Sequence, residues 1–133
     1  EVGALGISNC YDLDVLKYLF NNAKVKPSIV QNRFYAQSDY DKEIRSFCNE
    51  NQITYESFWS LTANPNILSD EVLQNLALKY ERGVAEIFYR FLNHINIVPL
   101  NGTTSLKHMI EDLKIGEFKL TREEINSIYN LLN

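Results

Sequence analysis

Ala4-Leu5-Gly6-Ile7-Ser8-Asn9 is an apolar run that breaks into a polar loop, and a helical pattern follows it. The same succession recurs at Ser28-Ile29-Val30-Gln31-Asn32-Arg33-Phe34, at Ile53-Thr54-Tyr55-Glu56-Ser57-Phe58-Trp59, and at Ile95-Asn96-Ile97-Val98-Pro99-Leu100-Asn101-Gly102. A strand followed by a helix, four times over, predicts an α/β protein whose parallel strands are joined by crossover helices. Such sheets gather their chemistry at the carboxyl ends of the strands, so the polar residues that close each run mark where a site belongs. Four units are about half of what a closed eight-stranded barrel requires.

The bulk composition fits one globular domain over residues 1–133: 45% of the residues are apolar and 12% aromatic, ample for a core. Seventeen acidic residues stand against 13 basic ones, dispersed, for a net charge of −4. No basic stripe is present to neutralise a run of phosphates, which argues against a nucleic-acid partner. No apolar run approaches the roughly 18 residues of a membrane span, and no charged-then-apolar leader is visible, so a soluble, cytoplasmic chain is expected. The chain opens on Glu1 without an initiator methionine, as a truncated piece or a processed terminus would. Cys10 and Cys48 lack metal-ligand spacing; two buried thiols are expected, with no disulfide framework and no metal site.

Between the strands, Asp12 is placed to cap a helix carrying Leu13, Leu16, Leu19 and Phe20 at helical spacing. Ser38 to Asn51 reads as a second helix with Tyr40, Ile44, Phe47 and Cys48 on one face. Asn64-Pro65-Asn66 signals a turn, and Ser69-Asp70-Glu71 opens a helix with Val72, Leu73, Leu76 and Ala77 inward. Gly83 separates it from Val84 to Asn93, apolar on most faces and therefore buried. Thr103-Thr104-Ser105 starts a helix through Leu113. Thr121-Arg122-Glu123-Glu124 is a capping box for a last helix with Ile125, Ile128, Tyr129 and Leu132 inward.

Read in order, the four junctions resemble the C-terminal half, strands 5–8, of the aldo-keto reductases, which are (β/α) barrels that reduce carbonyl compounds with a nicotinamide cofactor. Gly6-Ile7-Ser8-Asn9 is similar to the family's Gly-Val-Ser-Asn strand end, and Val30-Gln31 to the strand after it. The resemblance covers essentially the whole chain. It implies that Ser8, Asn9 and Gln31 hydrogen-bond the nicotinamide carboxamide, a group with two donors and an acceptor that a hydroxyl and two amides can satisfy. Alone, Ser8 and Asn9 would read more readily as residues that cap the next helix or stabilise its loop. The resemblance places Phe58 against the nicotinamide ring, where a Tyr is more usual; by alternation alone Phe58 is as readily a core residue.

At the fourth junction, Leu100, Asn101, Gly102, Thr103, Thr104 and Ser105 stand where family members often have Pro-Lys-Ser and a helix start that holds the cofactor's phosphates. A helix N-terminus with hydroxyls beside it suits an anion, although Thr-Thr-Ser is also an ordinary cap. Leu100 takes the place of a lysine that commonly binds the adenosine phosphate, and Lys107 and His108 are the charges at hand to compensate. The implied cofactor is NADP(H) or NAD(H), with NADP(H) favoured.

The family's proton-donating Tyr and its Lys, Asp and His partners come from the first half of the barrel, and the resemblance assigns no catalytic residue here. His94 reads as a satisfied helix-end residue. Glu56 and Arg33, charged residues inside strand patterns, read as an ion pair or interior pair, or as substrate contacts. The strands Ala4 to Ser8 and Ile95 to Leu100 should carry unpaired edges. The expected whole is therefore a reductase of small carbonyl compounds, with the missing N-terminal half-barrel or a second copy as partner. A non-catalytic interaction or regulatory protein, or a truncated remnant, is the alternative. The isolated chain is expected to be inactive.

Overall fold

A computed structural model describes residues 1–133. Four strands, β1 (Gly6–Ser8), β2 (Ile29–Arg33), β3 (Thr54–Phe58) and β4 (Ile97–Pro99), pair in chain order and all in parallel. The register brings Ser8, Gln31, Glu56 and Val98 into one row across the sheet. β1 lies so close to β2 that a Cβ on Gly6 would stand 3.1 Å from both the carbonyl oxygen and the Cβ of Ile29, tighter than ordinary packing tolerates.

Alternation along the strands divides the sheet into two faces. Val30, Tyr55 and Ile97 point to one side and are buried there with Leu16, Ile44, Leu73, Phe88 and Phe91 from the connecting segments. Fully burying a large apolar side chain is worth about 1.5–3 kcal/mol, so this face carries most of the hydrophobic stabilisation. The residues between them, Ser8, Gln31, Glu56 and Val98, face the other way and stay half-buried or exposed. The two edges belong to β1 and β4, each three residues long.

The first crossover helix, α1 (Leu13–Asn22), starts where Asp12 accepts from the N–H groups of Asp14 and Val15. Leu16 is enclosed, but Leu19 is 40% exposed, because at 10 residues the helix presents only a narrow stripe to the sheet. The second crossover departs from the continuous helix expected from Ser38. A 3-10 turn, Ala36–Asp41, runs into three successive left-handed residues, Asp39, Tyr40 and Asp41, and regular helix α2 begins only at Lys42 and ends at Glu50. Tertiary contacts override the local pattern there: Tyr40 packs on Phe34 with ring centroids 5.0 Å apart, and its carbonyl accepts from Arg45 Nε at 2.8 Å.

Asn64-Pro65-Asn66 is more than a turn, since Pro65 opens the short helix α3 (Pro65–Leu68), where its missing N–H costs nothing. Asp70 caps α4 (Glu71–Tyr80), and Gly83 leads into α5 (Val84–His94), the most enclosed helix. Gly83 N–H donates to Glu86 Oε2 at 2.8 Å, and Arg82 pairs with the same carboxylate. After β4 come α6 (Leu106–Leu113) and α7 (Arg122–Tyr129), the latter opened by the Thr121–Glu124 capping box. Leu132 is buried as expected, but on a 3-10 turn beyond α7.

Behind the sheet a polar network replaces apolar packing at one point. The Asn32 side chain accepts from Cys10 N and donates to Cys10 O, at 2.9 and 2.7 Å, and donates to Asp41 Oδ2 at 2.8 Å. Tyr55 donates to the same Asp41 oxygen at 2.6 Å. Burial raises the Asp41 carboxyl above its ordinary range, against the lowering effect of these donors. The network ties the loop after β1 to the left-handed turn. Cys48 is fully enclosed, whereas Cys10 lies in that loop and is only half-buried, not the buried thiol expected.

Candidate functional site at the carboxyl ends of the strands

Each crossover turns back over the carboxyl end of its strand, and the residues singled out in the sequence collect there. Ser8 ends β1, and Asn9 follows with a φ of 56°, its N–H donating to Gln31 O at 3.0 Å. That bond lays the Ser8-Asn9 turn along β2, with Ser8 and Gln31 in register on the open face. Both Ser8 and Asn9 are exposed. Tyr11, which the sequence reading left aside, fixes the Asn9 side chain: its hydroxyl donates to Asn9 Oδ1 at 3.1 Å and accepts from Arg33 N at 2.9 Å.

On the same face Gln31 Nε2 donates to Glu56 Oε2 at 2.9 Å. Glu56 thus pairs with a neutral amide, and the ion pair read as one option for it and Arg33 is not formed. Arg33 instead stacks its guanidinium over Trp59, 4.3 Å from the ring centroid, and 5.2 Å from that of Tyr35. Trp59 has a φ of 56° and is 55% exposed. Phe58 stands in register with Arg33 on the open face, half-buried, and is not one of the enclosed core residues.

The fourth junction forms the wall of a cleft of about 430 Å³ lined by Phe58, Trp59, Leu61, Tyr89, Leu100 and Gly102. A neighbouring cleft of about 410 Å³ runs past Asn101, Thr103, Lys107 and His108. Helix α6 begins at Leu106, later than Thr103. Ser105 is its cap, accepting from His108 N, while Thr103 Oγ1 accepts from Ser105 N. Lys107 and His108 therefore lie in the first turn, exposed, beside the N-terminal partial positive charge of the helix. Thr104 is exposed in the same loop, and Asn101 is held by Asp112. Lys107 is drawn toward Glu111 at 3.7 Å.

Tyr89 was not legible as a site residue, since it sits within the apolar pattern of α5. It is 6% exposed, lines both clefts, and its hydroxyl bonds to no protein group. Burial, reinforced by the Asp112 carboxylate, pushes it up to about 12, so it stays a proton-bearing donor across the physiological range. His94 takes the role expected of it: its Nε2 accepts from Leu120 N at 3.2 Å, away from the strand ends.

An open run of four parallel strands, helices on one face and polar residues at the carboxyl ends, defines a part of a (β/α) barrel type of protein. No protein-family model matches the chain. Its relatives are nonetheless of one kind. Glyoxal reductase of Bacillus subtilis is 28% identical over 128 residues, which is 96% of this chain and 45% of that protein. Aldose reductase B of Dictyostelium discoideum is 28% identical over 131 residues, 98% of this chain and 42% of that protein. A crystal structure of an aldo-keto reductase from a Medee basin deep-sea metagenome superposes with a TM-score of 0.86 at 25% identity, over 98% of this chain and 47% of that one. An aldo-keto reductase complexed with NADPH shares the fold at a TM-score of 0.77 and 20% identity, over 96% of this chain and 41% of that one. The chain's relatives and structural neighbours are aldo-keto reductases, and it spans somewhat under half the length of the curated relatives it matches.

Proposed function

We infer that the chain supplies the cofactor-binding strands of an NAD(P)H-dependent carbonyl reductase, corresponding to strands 5–8 of the family barrel. The observation that carries this is the row Ser8, Gln31 and Glu56 on the open face, with Asn9 lying on β2 beside it. The residues fit the group they would hold. Asn9 keeps a free NH₂, Gln31 a free carbonyl oxygen and Ser8 a hydroxyl, the complement of a primary carboxamide. Phe58 offers a ring face one step along the sheet. The α6 N-terminus, with Gly102, Thr103 and Ser105, offers N–H and hydroxyl donors for phosphates, and Tyr89 adds an unused hydroxyl in the adjoining cleft.

When bound, a reduced nicotinamide supplies a hydride to the carbonyl carbon of a small substrate. The chain's own part is to fix which face of the ring is presented and to hold it still, worth a large share of the barrier when geometry is right. The alkoxide that develops needs a proton donor. Tyr55 cannot provide it, being committed to Asp41 behind the sheet, and Tyr11 is committed to Asn9. The resemblance to the aldo-keto reductases implies that the donor comes from the other half of the barrel, in the same polypeptide or in a partner. Leu100 puts no charge at the adenosine end, so NADP(H) selection falls to Lys107 and His108. No helix is long and apolar enough to cross a membrane.

A non-catalytic relative that kept the fold is the second reading, favoured by Leu100 alone. The test is titration of the full-length polypeptide with NADPH, read by tryptophan fluorescence, to which Trp59 contributes from the wall of the cleft. Saturable quenching, weakened about tenfold in Gln31→Ala, is expected, together with aldehyde reduction. Binding without turnover would favour the non-catalytic reading, and no binding would remove the cofactor-binding reading. The 133-residue chain by itself is expected to reduce no aldehyde; turnover by it would overturn the division between halves.

A further inference from the structure

Gln31 and Glu56 are neighbours in register on the open face, and their bond has only one possible direction. A carboxylate can only accept, so the Gln31 amide must turn its NH₂ toward Glu56. Its Oε1 then faces away and accepts no hydrogen bond from the protein. Asn9 is set the opposite way. The Tyr11 hydroxyl accepts from Arg33 N–H and donates to Asn9 Oδ1, so Asn9 Nδ2 is left free. Two adjacent strand ends thus present one amide as acceptor and one as donor.

We propose that Glu56 is a positioning residue that locks Gln31 as a hydrogen-bond acceptor, making the site selective for a pyridine ring bearing a carboxamide over rings bearing an acetyl or a carboxyl group. The inference rests on the dinucleotide reading above. An acetyl group keeps the carbonyl that Asn9 addresses but has no N–H to give Gln31, leaving that oxygen unpaired. A carboxylate fails in the same way and also brings its charge toward Glu56. Without Glu56 the Gln31 amide can rotate by half a turn and donate instead, and both penalties fall away.

The experiment measures affinities of the full-length polypeptide for oxidised NADP, its 3-acetylpyridine analogue and its nicotinic-acid analogue, with 2′-phospho-ADP-ribose as a probe that lacks the ring. The wild type should prefer the carboxamide over the acetyl compound by about five- to tenfold, the scale of one neutral hydrogen bond, and over the acid by more. In Glu56→Gln the residue keeps its shape and can bond Gln31 in either sense, so the preference should shrink to about twofold or less. Glu56→Asp, still acceptor-only, should retain most of it. Binding of 2′-phospho-ADP-ribose should be equal in all three proteins, which a general structural defect would not allow. Full discrimination in Glu56→Gln overturns the role of Glu56 while leaving the cofactor reading intact. If the dinucleotides bind no better than 2′-phospho-ADP-ribose, the ring site and the proposal fall; if none of the four compounds binds, the cofactor reading itself fails.

Discussion

Val30 and Gln31 are neighbours on β2, yet Val30 is completely enclosed and Gln31 looks onto the open face; Tyr55 and Glu56 repeat the division on β3. On the enclosed side the side chains are apolar or have their hydrogen bonds met inside the protein: Asn32, Asp41 and Tyr55 bond one another and Cys10, and Ser57 bonds Ser60. On the open side Ser8, Asn9 and Gln31 keep part of their hydrogen-bonding capacity unspent. One strand thus serves two purposes without compromise, because consecutive residues never share a face. Stability and ligand chemistry should then respond to different substitutions.

The sharpest way to break that separation is Phe88→Ala. Phe88 is fully buried against Phe34 and Phe91, and the loss should be about 3–5 kcal/mol in urea denaturation, a large share of the roughly 5–15 kcal/mol of an ordinary domain. Phe58→Ala on the open face should cost less than about 1 kcal/mol while weakening dinucleotide binding. Comparable losses at both positions would show that the open face is also a core. Next in size is Asn32→Leu, which orphans Cys10 N and one Asp41 contact; about 2–3 kcal/mol should be lost by the same measurement. Gln31→Ala, one residue away, should move stability by no more than about 0.5 kcal/mol and act on binding alone.

The smallest effect expected is at His94. Burial, followed by the charges of Arg90 and Lys119, lowers its pKa below the ordinary 6.5. The folded state therefore binds the proton less readily than the unfolded one. The His94 contribution is present above pH 6.5 and is lost as pH falls through the lower folded value, as the Leu120 N–H loses its acceptor. Melting temperature should drop between about pH 7 and 5, and His94→Gln, which keeps an acceptor without titrating, should flatten that drop.

The four strands and the starts of α1, α4 and α7 were legible because each rests on short-range chemistry. Asp12, Asp70 and Thr121 are caps whose partners lie two or three residues away, and the strand ends announced themselves by their polar breaks. The break before α2 was not legible. Its left-handed residues are held by Phe34, Asn32 and Tyr55, none of which is signalled by the Ser38–Asp41 stretch itself. The candidate site was legible as residues at strand ends, but its polarity was not, since Tyr11 and Glu56 act across strands that periodicity cannot bring into register. Tyr89 was hidden by its neighbours, being a polar handle inside an apolar helix.

The left-handed turn also carries information about the order of folding. Asp39, Tyr40 and Asp41 have φ values of 47°, 53° and 51°, and each such non-glycine residue costs about 1–2 kcal/mol where nothing holds it. Its restraints come from β2 and, through Tyr55, from a strand 14 residues downstream of Asp41. Its local bond from Arg45 to the Tyr40 carbonyl does not reach Asp41, so the turn is expected to set late, after β2 and β3 have paired, and to contribute to the unfolding rate more than to the folding rate. A segment that looks like a defect in a helix is in kinetic terms a latch, thrown once the sheet has formed.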